Sequence, residues 1–420
     1  METVKFITLG CKVNQYDTQS IREQFLRRNY KEILNGCKAD IYVVNTCTVT
    51  ATADGKSRHA VRRAIRENPR AKIIVTGCYA QLNGEEIAGI TGVTHIIKNQ
   101  DKGRILDFLS RGCGNKEDKG MIRGFQGHTR AFLKIQDGCD NFCSYCKVPL
   151  ARGRSRSRPL NEIKREACQL VKKGFKEIVL CGICLGAYGR DLSRKIDLID
   201  VIGALEKIEG LLRIRLSSIE AGDVKARLIR KMALSKKLCR HLHIPIQSGD
   251  NEILRKMNRR YRSEDYLALI RQVKKNIPKI AVTTDVMVGF PGETERNFEN
   301  TVNLVRRIAP LRVHVFPYSR RPGTFASCLK GQINGRAISA RISRLKVVAE
   351  KCAFKYAKQF LNKPVEVLFE RRHKSDNKLW EGYTGNYLKV RSGSAKELKN
   401  QLIKVKLKKI TNDCIEAALL

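Results

Sequence analysis

FLKIQDGCDNFCSYCKVPLARGR, residues 132–154, decides the architecture. It runs from an apolar strand candidate (131–136) into a loop holding Cys139, Cys143 and Cys146 in Cys-x3-Cys-x2-Cys spacing. Five more apolar strand candidates follow at 177–182, 212–217, 241–246, 280–286 and 312–317, with helical segments between them in steady alternation. Such alternation builds a parallel sheet, and six units predict an open, partial (β/α)6 barrel over 131–361, closing with a helical, Arg- and Lys-rich stretch at 336–361. Reactive groups of such barrels sit on loops after strand C-termini, the station this cysteine loop occupies.

Three thiolates suit a 4Fe-4S cluster with one iron left without a protein ligand. That iron can chelate the amino and carboxylate groups of S-adenosylmethionine and pass it an electron, releasing a 5′-deoxyadenosyl radical. A structural zinc is the competing reading, but zinc prefers four protein ligands, usually as paired Cys-x2-Cys units, and no second pair stands nearby.

Ahead of the barrel, VKFITL (4–9), DIYVVNT (40–46) and KIIVTG (72–77) read as buried strands, with helices expected near 17–29 and 53–67. This predicts an open parallel-sheet α/β domain over 1–110. Cys11, Cys47 and Cys78 each end one of these strands, and strand C-termini of an open sheet lie side by side where ligands bind. A lone cysteine there is as often a small buried hydrophobe. Repetition at one structural station favours a second cluster, with Gly10 and Gly77 letting backbone approach it. The other nine of the fifteen cysteines show no such grouping; Cys181 and Cys184, in CGIC, read as cavity lining rather than ligands.

The chain carries 82 Lys and Arg against 41 Asp and Glu, a net charge of +41 spread over every region, which favours a polyanionic partner touching several domains. Solvated basic faces are the plainer alternative. A Gly-rich charged stretch at 111–130 reads as a linker, and short β-like runs at 364–369, 383–391, 402–408 and 414–419 as a small terminal β-barrel over 362–420. No apolar run of membrane-spanning length and no leader pattern is present, so no membrane partner and a cytoplasmic location are expected, where fifteen thiols stay reduced or bind metal.

Together the motifs LGCKVNQYDT (9–18), NTCTVT (45–50), TGCYAQ (76–81), FLKIQDGCDNFCSYC (132–146), ARGRSRSR (151–158), HLHIPIQSGDNEILRKMNRRY (241–261), VGFPGETERNF (288–298) and HVFPYSRRPGT (314–324) span almost the whole chain. They resemble the radical-SAM methylthiotransferases, most closely the MtaB-type tRNA N6-threonylcarbamoyladenosine methylthiotransferases. The resemblance implies an auxiliary 4Fe-4S cluster on Cys11, Cys47 and Cys78, a radical-SAM barrel with its cluster on Cys139, Cys143 and Cys146, and a TRAM-like RNA-binding tail. It implies two molecules of S-adenosylmethionine per turnover: one methylates a sulfur on the auxiliary cluster, the other yields the radical that activates carbon 2 of adenosine 37. The implied partners are tRNA, through its anticodon stem-loop, an electron donor and a sulfur source. Close alternatives are isopentenyladenosine in tRNA or a ribosomal-protein aspartate as substrate; a non-catalytic metal-containing RNA-binding scaffold is the alternative of another class. The family pattern has Thr and His where this chain has Cys181 and Cys184, and a proline where it has Ala221.

Glu220 after the third barrel strand and Gln247 and Ser248 after the fourth are polar groups expected to face the cofactor, with turn and capping roles as the alternative. Gly289–Glu293 is read either as backbone approaching the cofactor or as a tight turn. Arg152, Arg154, Arg156 and Arg158 are placed to meet RNA phosphates. In the tail, Arg371, Arg372, Lys389 and Arg391 are candidates for backbone contacts, and Trp380, Tyr383 and Tyr387 for base stacking.

Overall fold

The computed structural model describes residues 1–34, 36–109 and 121–420. Strands β1 (Thr3–Thr8), β2 (Lys31–Glu32), β3 (Ile41–Thr46), β4 (Lys72–Gly77) and β5 (His95–Ile97) form one parallel sheet in the order β2-β1-β3-β4-β5. All six residues of β3 are buried, as expected of a central parallel strand covered on both faces. The helix Ala51–Glu67 begins where Thr50 Oγ1 accepts the Ala53 N–H at 3.1 Å. The first helix starts at Lys12 rather than at 17, because its first buried residues mix Val13 and Tyr16 with polar Asn14, Asp17, Thr18 and Gln19, which hydropathy periodicity does not register.

The barrel is built from β6 (Ala131–Lys134), β9 (Glu177–Cys181), β10 (Arg213–Leu216), β11 (His241–His243), β12 (Ala281–Val288) and β13 (Arg312–Pro317). A short antiparallel ribbon of β7 (Gln136–Asp137) and β8 (Arg156–Ser157) closes the cysteine loop. Parallel ladders join β6-β9-β10 and β11-β12-β13, and the bridges Ile214↔Leu238 and Ser218↔His243 link the two halves. The six strands therefore curve into the expected open parallel barrel. Its core includes Leu133, Leu180, Ile214, Leu242 and Val286, and it also takes in Val13 and Tyr16 of the N-terminal helix.

Of the stretch read as a linker, 111–120 lies outside the described residues. Residues 121–130 pack: Ile122 and Phe125 join the barrel core, and the Glu23 carboxylate accepts the N–H groups of Arg123 and Gly124. The tail is a closed barrel of β14 (Pro364–Arg372), β15 (Leu379–Thr384), β16 (Lys389–Gly393), β17 (Leu402–Ile410) and β18 (Ile415–Leu419), in the order β14-β15-β16-β18-β17. The single run expected at 383–391 is two strands. Gly385 and Asn386 turn the chain, Tyr387 takes φ +70°, and Thr384 Oγ1 accepts the Leu388 N–H at 2.9 Å. Among the described residues no helix is long and apolar enough to cross a membrane.

Candidate active site

Since β1, β3 and β4 are neighbours in one parallel sheet, their C-termini deliver Cys11, Cys47 and Cys78 to one edge. The approach is close: a Cβ on Gly10, at φ +97°, would lie 2.8 Å from Cys47 Sγ, and one on Gly77, at φ +100°, would lie 2.3 Å from the Thr46 carbonyl oxygen. Only glycine fits at either position. Burial pushes the Cys47 thiol up to about 11, and the neighbouring Cys78 and Cys11 thiols add to the rise.

In the barrel loop, each cysteine sulfur faces a donor. Cys139 Sγ accepts the Asn141 N–H at 3.5 Å, Cys146 Sγ the Val148 N–H at 3.4 Å, and Cys143 Sγ an Arg259 Nη1–H at 3.4 Å. Donors aimed at sulfur favour the thiolate form and tune a cluster held by it. The Cys139 thiol is lowered, first by a hydrogen bond with the Cys184 thiol; burial raises Cys143 and takes Cys146 up to about 12. Thiols raised in this way give up their protons to a metal rather than to water. Glu220 accepts Arg259 Nη1–H at 3.2 Å and so stands one residue removed from Cys143. Gln247, buried at φ +69°, has a side-chain Oε1 with no partner among the described residues. The donor set and this orphan oxygen fit a cluster with a polar cofactor beside it.

Arg152 connects the two cysteine trios. Its side chain is 2% exposed; Nε donates to Cys78 Sγ at 3.2 Å, Nη1 to Asp137 at 2.8 Å and Nη2 to Asp17 at 3.1 Å. Burial alone would raise the Asp17 carboxyl, but Lys102, Lys134 and Arg152 surround it and hold it well below the usual carboxylate range. A second buried arginine, Arg321, reaches from the loop after β13 to Thr48 Oγ1 at 2.6 Å and Asp54 at 2.7 Å. The N-terminal sheet edge is therefore fastened to the barrel mouth beside the cysteine loop.

Several expectations need correction. Arg152 and Arg158 do not face RNA: Arg152 is locked between the domains, and Arg158 donates to Glu166 at 2.6 Å and to Tyr16 Oη at 2.9 Å. Arg154, 77% exposed in its side chain, and Arg156 remain at the surface. Ser248 is fully buried and bonded to Thr301, so it serves the turn rather than a cofactor. Gly289–Glu293 is likewise a tight turn, with Glu293 accepting the Gly289 N–H at 2.8 Å and pairing with Arg341. Trp380 lies in the tail-barrel core. Tyr383 and Tyr387 stack at 5.2 Å, and Tyr387 stacks on His241 at 4.7 Å beneath Arg215, so both rings serve the domain contact. Lys389 and Arg391 are committed to Glu381 and Asp413, and Arg371 to Glu381.

Sequence reasoning missed Arg259, Arg321 and Asp17, although all three lie in motifs it quoted. It also missed the contact of Cys184 with Cys139, and the group formed by His243, Asp285 and His314, whose ligand atoms all lie within 4.8 Å on three adjacent strands.

Two family models match the chain: Radical SAM superfamily over residues 133–305, and Uncharacterized protein family UPF0004 over residues 3–98. The chain is 41% identical to threonylcarbamoyladenosine tRNA methylthiotransferase MtaB of Bacillus subtilis (strain 168), over 97% of this chain and 94% of that one. It is 37% identical to the protein of the same name from Thermotoga maritima, over 88% and 87%. It is 34% identical to tRNA-2-methylthio-N(6)-dimethylallyladenosine synthase of Clostridium tetani (strain Massachusetts / E88), over 97% and 94%. Among solved structures, the radical S-adenosylmethionine methyltransferase TsrM from Kitasatospora setae aligns with a TM-score of 0.58 at 13% identity, over 77% of this chain and 76% of that one, a likeness of fold. Fold and site define a radical-SAM enzyme. Within that class the chain belongs to the tRNA methylthiotransferase family, whose enzymes work with S-adenosylmethionine and 4Fe-4S clusters.

Proposed function

We propose that this enzyme adds a methylthio group to carbon 2 of N6-threonylcarbamoyladenosine at position 37 of tRNA, in the cytoplasm. It would draw electrons and replacement sulfur from donors outside the chain. The observation carrying the reading is 41% identity, over 97% of the chain, to a relative named for that substrate. An unactivated aromatic C–H has no acidic proton for a side-chain base to remove, which is why radical chemistry is needed and no acid–base pair is assigned.

In this reading Cys139, Cys143 and Cys146 hold one 4Fe-4S cluster, and Cys11, Cys47 and Cys78 hold the other. When bound, the first supplies the electron that cleaves S-adenosylmethionine to a 5′-deoxyadenosyl radical, and the second supplies the sulfur to be delivered. Arg259 donates to Cys143 Sγ and pairs with Glu220, so it sets the charge beside the cofactor, and Gln247 Oε1 offers the cofactor an acceptor. Arg152 and Arg321 hold the auxiliary trio over the barrel mouth. The labour divides among residues 1–110, the barrel of 131–361 and the tail of 362–420, with 111–130 joining the first two.

A charge of +41 supports tRNA as the polyanion, and Arg154 and Arg156 are the arginines of the 151–158 run free to meet phosphates of the anticodon stem-loop. The 34% identity to a dimethylallyladenosine enzyme keeps a second substrate in view. Nucleoside mass spectrometry of tRNA from cells lacking the gene separates the two. The expected result is loss of the 2-methylthio form with accumulation of N6-threonylcarbamoyladenosine; accumulation of the dimethylallyl nucleoside instead would replace the assignment.

A further inference from the structure

His243, Asp285 and His314 stand on β11, β12 and β13, which pair in parallel with Asp285 directly opposite His314 in the register. Side chains alternate across a strand, so Thr283, Asp285 and Met287 share one face of β12. The opposite face meets the helices: Thr284 Oγ1 lies 3.3 Å from Tyr266 Oη on the helix Ser263–Asn276. Met287 shares an apolar cluster with Tyr145 of the cysteine loop. Asp285 and the two histidines therefore line the inner wall of the barrel, two residues, or about 7 Å, along β12 from that cluster. Their ligand atoms all lie within 4.8 Å of one another, and His243 Nε2 stands 3.1 Å from Asp285 Oδ2. The two imidazoles have centroids 5.8 Å apart and planes inclined at 60°. His243 Nδ1 lies 2.8 Å from Thr283 Oγ1, which can accept its N–H and leave the Nε2 lone pair aimed at the group. Metal-ligating histidines are oriented by such an outer hydrogen bond. In a chain of net charge +41, Asp285 pairs with no Lys or Arg among the described residues. An ion pair with a protonated His243 is the plainer arrangement, but it leaves His314 without a part.

We propose that His243 Nε2, an Asp285 carboxylate oxygen and a His314 ring nitrogen bind one divalent first-row transition-metal ion on the inner wall of the barrel. This centre is separate from whatever the two cysteine trios hold, and it does not depend on the substrate proposed above. Ligands bonded to one ion at about 2.0–2.2 Å stand about 3–3.5 Å from each other. The His243–Asp285 pair is already at that spacing, and a small rotation of the exposed His314 side chain on the edge strand β13 closes the set. Two imidazoles with one carboxylate suit Zn²⁺, Fe²⁺, Co²⁺ or Mn²⁺, whereas Ca²⁺ and Mg²⁺ are held by oxygens. Three protein ligands leave further positions open toward the barrel interior, where water or an oxygen ligand completes the coordination.

The test titrates Mn²⁺ into the reconstituted full chain after passage over a chelating resin, under anaerobic conditions. Mn²⁺ is chosen because thiols hold it weakly, so the cysteines compete little. Free Mn²⁺ is read from its electron paramagnetic resonance signal at room temperature, and the bound ion's nitrogen neighbours from electron spin-echo modulation. One Mn²⁺ per chain is expected, with imidazole nitrogen in its coordination sphere. His243→Gln, His314→Gln and Asp285→Asn should each weaken it at least about 10-fold, and Thr283→Val, which removes only the outer hydrogen bond, about 10-fold. Iron content and melting temperature of His314→Gln should match the native protein, because that side chain is exposed. The proposal is overturned if the native chain binds no Mn²⁺ below about 1 mM. It is equally overturned if the bound ion shows no imidazole nitrogen, or if His314→Gln binds as tightly as the native chain. Loss of Mn²⁺ from His314→Gln only together with loss of iron or of thermal stability also overturns it, by assigning the residue to the fold instead.

Discussion

The two cysteine trios, assigned above to similar chemistry as a proposal, are assembled by opposite routes. Cys139, Cys143 and Cys146 lie within eight residues on one loop, closed by the β7–β8 ribbon. Cys11, Cys47 and Cys78 are separated by whole strand–helix units, and they meet only because β1, β3 and β4 pair in register. The first site is a property of local chain; the second is a property of the sheet. Anything that disturbs the sheet edge or its docking should therefore damage the second trio and spare the first.

The sharpest separation comes from the ligands themselves. Replacing all three of Cys139, Cys143 and Cys146 by Ala should abolish both 5′-deoxyadenosine formation and methylthio product. Replacing Cys11, Cys47 and Cys78 should abolish product alone, and either change should remove about half of the iron. Iron analysis with paired chromatographic assays checks this; a Cys11, Cys47, Cys78 variant that keeps full iron would remove the second trio as a cluster site. A subtler break is Gly77→Val. Its Cβ would stand 2.3 Å from the Thr46 carbonyl oxygen at a φ of +100°, a conflict of about 3 kcal/mol or more. Auxiliary iron should be lost while 5′-deoxyadenosine still forms.

Docking comes next in size. Arg152→Leu leaves Asp137 and Asp17 without the guanidinium that joins them, and breaking a buried pair from one side costs about 3–5 kcal/mol. The apo-protein should melt at lower temperature and retain less auxiliary iron than barrel iron. Arg152→Lys should not restore it, since one ammonium cannot serve Cys78, Asp17 and Asp137 together. Equal loss from both trios would mean that the interface supports the barrel loop as well.

The same contrast governs what could be read from sequence. The barrel trio stands out in the sequence by its spacing, and the sheet trio by the recurrence of cysteine at strand ends, because both signals are periodic or local. The barrel strands were legible from short apolar runs in steady alternation with helical segments, strongest in the buried EIVLC of β9 and AVTTDVMV of β12. Asp17, Arg259 and Arg321 carried no such signal: each acts through a partner at least 85 positions away in the chain, Lys102 for Asp17, Cys143 for Arg259 and Thr48 for Arg321. The basic run 151–158 misled for the same reason. Four arginines at alternate positions look equivalent in sequence, yet the β7–β8 ribbon and the short helix Val148–Arg152 turn Arg152 and Arg158 inward and leave Arg154 and Arg156 outside.

That division of the arginine run yields the smallest expected effect and sharpens the comparison from the RNA side. Arg154 stands over the Phe142 ring at 4.9 Å and, among the described residues, pairs only with the half-exposed Asp140, and the Arg156 guanidinium donates to the Arg152 carbonyl oxygen at 3.2 Å. Neither holds a domain contact, so Arg154→Gln and Arg156→Gln should leave iron content and melting temperature unchanged. Each should weaken tRNA uniformly across sequences and lower the slope of log affinity against log salt by about one. An anisotropy titration at several salt concentrations reads this slope. If it does not move while product formation falls, these arginines act on the cysteine loop they border rather than on phosphate, and the barrel trio depends on its surroundings as much as the sheet trio does.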